Sequence, residues 1–139
     1  MFSHDGVKDS LTHLAAPPFL YAELRREVAH CDRNGTALCL LRIELALTER
    51  KEASIVEFAH ALTISSRSED ICARIGEYEF VVALRGDSAA SEIFLKRIVD
   101  QWHLTTHPGD LSISWVMAQA GENPLTLLNR LDCEPVIHR

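Results

Sequence analysis

Two carboxylates and a glycine stand together in the stretch Gly76-Glu77-Tyr78-Glu79, and β-prone runs flank it, Ile71 to Ile75 before and Phe80 to Leu84 after. Two such runs around a short polar tip form a β-hairpin. A tip that projects carboxylates beside a glycine suits a metal ion or a phosphate, and it equally suits an ordinary solvated turn. The other reactive side chains form no constellation. The four cysteines, at 31, 39, 72 and 133, have neither zinc-ligand nor CxxC spacing. His103 and His107 have the i, i+4 spacing of a helical metal pair, but Thr105, Thr106 and Pro108 end the helix there. Ser112 and Ser114 alternate on a strand with no base beside them, and Trp102 and Trp115 read as core. These residues imply no resident metal and no cofactor.

The elements that must position the tip follow from periodicity. Pro17 and Pro18 open a first helix over about Phe19 to Arg33, with Leu20, Leu24, Val28 and Cys31 as its apolar stripe and Asn34-Gly35 as its stop. A first strand runs from Thr36 to Leu45. Leu41, Ile43 and Leu45 share one face and Arg42 and Glu44 the other. A second helix spans about Ile55 to Ser66, with Ser54 and Glu57 placed as a capping box. After the hairpin, Gly86-Asp87-Ser88 leads into a third helix over Ala89 to His103. A strand from Leu111 to Ala118 follows, and Asn123-Pro124 opens a last helix to about Asp132. The order α, β, α, β, β, α, β, α predicts an α/β (α+β) domain, one mixed sheet with helices packed on it.

Composition excludes several function classes. A chain of 139 residues, 47% hydrophobic and 24% charged, has room for one cored domain. Residues 1–8 read as a flexible leader and 9–139 as the domain. The net charge of −6 argues against nucleic acid as a partner. No apolar run reaches membrane-spanning length, so no direct membrane insertion is expected. Unpaired cysteines in helix and strand, with no signal peptide at the start, point to a cytoplasmic protein.

Several motifs, taken in order, resemble diguanylate cyclase (GGDEF) domains. Asp9-Ser-Leu-Thr-His-Leu14 is similar to their DxLTxL opening, and Arg74-Ile-Gly-Glu-Tyr-Glu-Phe80 to their RxGGDEF hairpin. Leu111 to Ser114 resembles the strand after the third helix, and Leu125 to Asp132 the terminal helix. The resemblance implies a palm-like mixed β-sheet flanked by helices, as in nucleotidyl cyclases. Active members condense two GTP into cyclic di-GMP as dimers, with Mg²⁺ on carboxylates. This chain departs from that pattern. Glu77 replaces the second signature glycine and Tyr78 the signature aspartate, while Gly76 and Glu79 are kept. Glu44 stands where the family has a metal-binding aspartate. Ala46, Thr48 and Glu49 replace the aspartate, phenylalanine and lysine that follow, and the segment from Glu44 to Gly76 is too short for the guanine-reading loop. Two-metal phosphoryl transfer needs charge neutralisation and in-line alignment. The resemblance therefore implies an inactive domain, with Glu44, Gly76, Glu77, Tyr78 and Glu79 as remnants of the site.

Ahead of the hairpin lies Arg67-Ser-Glu-Asp70. In the family an RxxD at this offset is the inhibitory site for an intercalated cyclic di-GMP dimer. The chemistry is suitable, because a guanidinium fork pairs with phosphate or the Hoogsteen edge of guanine and a carboxylate accepts from guanine N–H. Arg97 is the nearest match to a further arginine of that site, with one residue deleted in the preceding loop. The resemblance thus implies a cyclic di-GMP receptor using Arg67, Asp70 and Arg97, acting on a protein partner or as a homodimer. Without a ligand, Arg67 and Asp70 are an ion pair at a turn. The chain is then a protein-interaction or dimerisation module that binds no nucleotide.

Overall fold

The computed structural model describes residues 2–46, 51–105 and 109–139. Among them the elements run α1 (Pro17–Asn34), β1 (Leu38–Ala46), α2 (Glu52–Ser65), β2 (Ile71–Arg74), β3 (Glu79–Arg85), α3 (Ser88–His103), β4 (Asp110–Met117), α4 (Pro124–Asp132) and β5 (Ile137–His138). The sheet order is β2-β3-β1-β4-β5, which puts β1 in the centre, and each ladder is antiparallel. One parallel contact joins Ala15 to Ala73 beyond the edge strand β2. This is the helix-flanked, palm-like α+β arrangement expected of the chain.

Alternation along the strands divides the core in two. Leu41, Ile43 and Leu45 of β1, with Phe80 and Val82 of β3, face α2 and α3, where Phe58, Phe94, Ile98 and Trp102 pack. Phe58 stacks between Phe80 and the edge of Trp102, at centroid distances of 4.9 and 5.3 Å. The other sheet face presents Leu38, Leu40, Val81 and Ala83 to Leu20, Leu24 and Val28 of α1 and to Leu127 and Leu131 of α4. That second face turns polar at Arg42 and Glu44, toward the hairpin end of β1.

The helix signals are read correctly at three of four N-termini. Pro17 and Pro18 occupy the first turn of α1, and Gly35 closes it in the left-handed region at φ 63°. Asp87 caps α3 by accepting from the Ala90 amide, and Asn123 caps α4 by accepting from the Leu125 amide. The capping box expected at Ser54 and Glu57 does not form. α2 begins earlier, at Glu52, its N-cap is Lys51, and Ser54 is drawn into the first turn and buried. β5 was not anticipated; two residues after Pro135 are too short to give a period. Residues 2–8, expected as a flexible leader, make defined contacts. Asp5 accepts from the amides of Val7 and Lys8, and the Ala16 amide donates to the Val7 carbonyl. No helix among the described residues is long and apolar enough to cross a membrane. The four cysteines are free, and burial pushes the Cys39 and Cys72 thiols up to about 11, so neither is a thiolate near neutrality.

A buried ion pair ties the chain's start to the hairpin. Arg74 is 1% exposed and Asp9 0%. Arg74 Nη1 donates to Asp9 Oδ1 at 3.0 Å and Oδ2 at 3.1 Å, while its Nε and Nη2 donate to the Glu77 carbonyl. Asp9 also accepts from the amide and hydroxyl of Thr12. Burial pushes the Asp9 carboxyl up, but the Thr12 and Arg74 contacts outweigh it and leave the group below its ordinary value.

Removing one partner of a buried pair leaves the other uncompensated. Asp9→Ala or Arg74→Ala is therefore expected to cost about 3–5 kcal/mol in denaturant unfolding. A carboxyl lowered on folding adds stability above its unfolded pKa, about 3.9, which is lost as pH falls through the folded value. Wild type should thus lose stability below about pH 4, and Asp9→Asn should lose less over that range. Gly86 gives a second check. Its φ is 151° and an added Cβ would lie 2.6 Å from the Ala90 Cβ. Gly86→Ala should destabilise by about 1–3 kcal/mol in the same measurement.

Candidate functional site

The two candidate regions lie at opposite ends of the β2–β3 hairpin. At the open end, Arg67, Asp70 and Arg97 line one small cleft of ≈ 60 Å³ with Ile93 and Phe94 of α3. Their convergence follows from the topology. The turn after α2 carries Arg67 and Asp70 directly into β2, and α3 packs beside α2. Arg97 Nη1 donates to the Ser65 carbonyl at 2.9 Å, which fixes the guanidinium over the last turn of α2 and leaves its other N–H groups free of that bond. Asp70 is held through the backbone. Its Oδ2 accepts from the Arg67 amide at 2.8 Å, and its own amide donates to the Arg67 carbonyl.

That arrangement leaves the second oxygen of Asp70 in an unusual state. Oδ1 is buried and has no hydrogen-bond partner. The Arg85 backbone amide acts on the carboxylate in the same lowering direction as the Arg67 amide. Burial pushes the Asp70 carboxyl up, Glu69 adds to this, and the Arg67 amide opposes it. A half-buried carboxylate with an orphan acceptor is stabilised by any N–H donor that enters. The neighbouring Arg85 was not singled out from sequence. It makes a bidentate pair with Glu27 of α1, at 2.8 Å on both arms, and Glu27 holds its guanidinium well above its ordinary range. The sequence signal was Glu27 itself, a charge one residue before the buried Val28 of the α1 stripe.

At the tip end, the remnant residues do not act as a group. The Tyr78 side chain is buried, 6% exposed, in the core cluster under α2 and α3, and its carbonyl accepts from the Leu45 amide. Glu77 is exposed, and its carbonyl is taken by Arg74. Gly76 sits in the turn, with an imagined Cβ 3.3 Å from the Glu79 Cβ. Only Glu44 and Glu79 meet, as directly opposed residues of β1 and β3. Sequence reading missed what lies between them. Arg42 Nη2 donates to Glu79 Oε2 at 2.9 Å and lies 3.8 Å from Glu44 Oε2, while its Nε is 3.9 Å from Asp132 Oδ1 of α4. The hydrogen bond it donates to Glu79 raises the Arg42 guanidinium above its ordinary value. A divalent cation needs the same carboxylate oxygens, so the residues present do not fit one. Among the described residues no three His, Cys, Asp or Glu side chains are grouped to hold a metal. Of the other positions read from sequence, Thr48, Glu49 and His107 lie outside the described residues.

No family model matches the sequence, and no curated protein matches it. Solved structures do. The diguanylate cyclase SiaD of Pseudomonas aeruginosa, crystallised with its activator SiaC, superposes at a TM-score of 0.80 with 22% identity over 91% of this chain, which spans 55% of that one. The GGDEF domain of DgcB from Caulobacter crescentus, in complex with c-di-GMP, gives 0.79 with 19% identity over 94% of this chain and 88% of that one. A microbial GGDEF domain described with cyclic di-GMP gives 0.82 at 16% identity, covering 92% and 89%. Similarity at these identities establishes the fold: the chain has the architecture of a GGDEF domain.

Proposed function

We propose that the chain is a catalytically inactive GGDEF-type regulatory domain that binds cyclic di-GMP, as an intercalated dimer, through Arg67, Asp70 and Arg97. The observation that carries this reading is the buried Oδ1 of Asp70, without a hydrogen bond, in a cleft lined by three arginines, Arg67, Arg85 and Arg97. Guanine offers N–H donors on one edge and acceptors on the other, and its phosphate suits a guanidinium fork. The DgcB domain of the same fold was crystallised with this ligand. A second reading, a docking module for a protein partner or a second copy, draws on the exposed Ile64 and Ile93 and on the SiaD–SiaC complex.

The inactive half of the proposal rests on Tyr78 and Arg42. Tyr78 brings no carboxylate and its side chain belongs to the core cluster, and Arg42 already takes Glu79. Purified protein with GTP and Mg²⁺ or Mn²⁺ is expected to make no cyclic di-GMP above a blank. Sustained turnover that vanishes in Glu79→Ala would overturn this half. Glu77→Gly with Tyr78→Asp should not restore turnover, and Tyr78→Asp should also destabilise the fold by placing a carboxylate in an apolar cluster.

Calorimetric titration tests the receptor half. Cyclic di-GMP should bind and GTP should compete poorly. Arg67→Ala should lose about 1.5–3 kcal/mol, on the order of tenfold or more in affinity. Arg67→Lys should also lose binding, since an ammonium lacks the planar fork. Asp70→Asn should weaken binding while keeping the acceptor for the Arg67 amide, so its melting temperature should stay near wild type. The Arg97→Ala loss should be smaller than that of Arg67→Ala. Absence of heat with micromolar ligand would favour the docking module.

A further inference from the structure

We infer that Arg42 is the resident cation of the Glu44–Glu79 centre, a guanidinium built into β1 that closes this centre to divalent metals. The register of β1 on β3 sets Glu44 directly opposite Glu79. Opposed side chains on one sheet face stand about 4.5–5.5 Å apart at Cβ, and two like charges there repel. A cation placed between them offsets that repulsion. Arg42 is two residues before Glu44 and so projects from the same face of the same strand. Its Nη2 reaches Glu79 at 2.9 Å and Glu44 at 3.8 Å, and its Nε lies 3.9 Å from Asp132.

One guanidinium therefore links three elements, β1, β3 and α4. Its side chain is 25% exposed, while Asp132 is 65% exposed, so the charge sits at the inner edge of the acidic group. Arg42 Nε is buried and makes no hydrogen bond, and the fork's hydrogen bond goes to Glu79. An arginine differs from a bound metal in two ways. It cannot deprotonate or dissociate, and it offers no coordination position to a phosphate oxygen. The hairpin tip thereby carries a built-in positive charge that offsets part of its acidity with no exchangeable ion, and chelators should leave its structure unchanged.

This inference deepens the inactive-centre half of the reading above, and its test measures metal binding instead of turnover so that the two can fail separately. The full chain is titrated with Mn²⁺ by calorimetry and by the loss of free-ion EPR signal, and its melting temperature is read in Mn²⁺ and in EDTA. Wild type is expected to show no saturable binding through the millimolar range and the same melting temperature in both. Arg42→Met, which keeps the length and removes the charge, should bind Mn²⁺ at least about tenfold tighter than wild type. That gain should vanish in Arg42→Met with Glu79→Gln. Arg42→Lys should behave as wild type. If Arg42→Met is unfolded in EDTA, Mn²⁺ should restore its melting transition. Wild-type Mn²⁺ binding that Glu79→Gln abolishes would overturn the inference while leaving inactivity standing. An Arg42→Met protein that neither gains Mn²⁺ affinity nor is rescued by it would also overturn it. Turnover of GTP by wild type would instead overturn the inactive reading.

Discussion

The buried pair of Arg74 with Asp9 is the contact on which the hairpin and the chain's start both depend. A guanidinium and a carboxylate at 1% and 0% exposure are tolerated only when their remaining donors and acceptors are satisfied, and here they are. Arg74 spends its two remaining arms on the Glu77 carbonyl, which bends the tip back onto its own first strand. Asp9 spends its spare capacity on Thr12, which turns the chain so that Ala15 pairs beside Ala73. The Phe2 ring lies 4.9 Å from the Arg74 guanidinium and shields it further. Edge strand β2, only four residues long, is thus covered on its outer side and fixed at its end.

Local patterns were legible where one element carries the whole signal. The α1 stripe, the Asp87 and Asn123 caps and the hairpin are each contained in a few consecutive residues. The Ser54 capping box failed because the same residue also fits the buried side of α2, and burial prevailed over the cap. The Arg67–Asp70–Arg97 convergence was legible only through resemblance, since nothing local links α3 to the turn before β2. Arg42 and the Arg85–Glu27 pair were not legible. Their partners lie 37 and 58 residues away, and which charge meets which is set by strand register and by helix placement on the sheet. In β1 the alternation showed that Arg42 and Glu44 share a face, but it could not show that Glu79 stands across from them.

The strand β3 carries a charge problem at each end, and the two are solved differently. At its start Glu79 is opposed by Glu44, and Arg42 pairs with Glu79 at 2.9 Å and lies 3.8 Å from Glu44, which offsets part of their repulsion. At its end Arg85 emerges beside the Asp70 turn, and its charge is consumed by Glu27 on the far helix. That capture explains why a cleft lined by three arginines does not simply collapse onto its one carboxylate. Arg85 is bound to α1, and Arg97 is bound to the end of α2. Asp70 Oδ1 remains buried without a hydrogen bond between them.

The conformation of the hairpin is consequently determined by two arginines of the chain itself. Arg74 fixes the tip from the β2 side through the Glu77 carbonyl, and Arg42 fixes it from the β1 side through Glu79. Both contacts place permanent positive charge against groups that a metal centre would leave for an exchangeable ion. At the other end of the hairpin Arg67 and Ile93 are exposed, and the Asp70 Oδ1 is buried without a hydrogen bond. Binding there would add donors to a carboxylate that burial has already raised, so the energy released is local to the turn between α2 and β2. That turn joins the α2–α3 layer to the edge of the sheet.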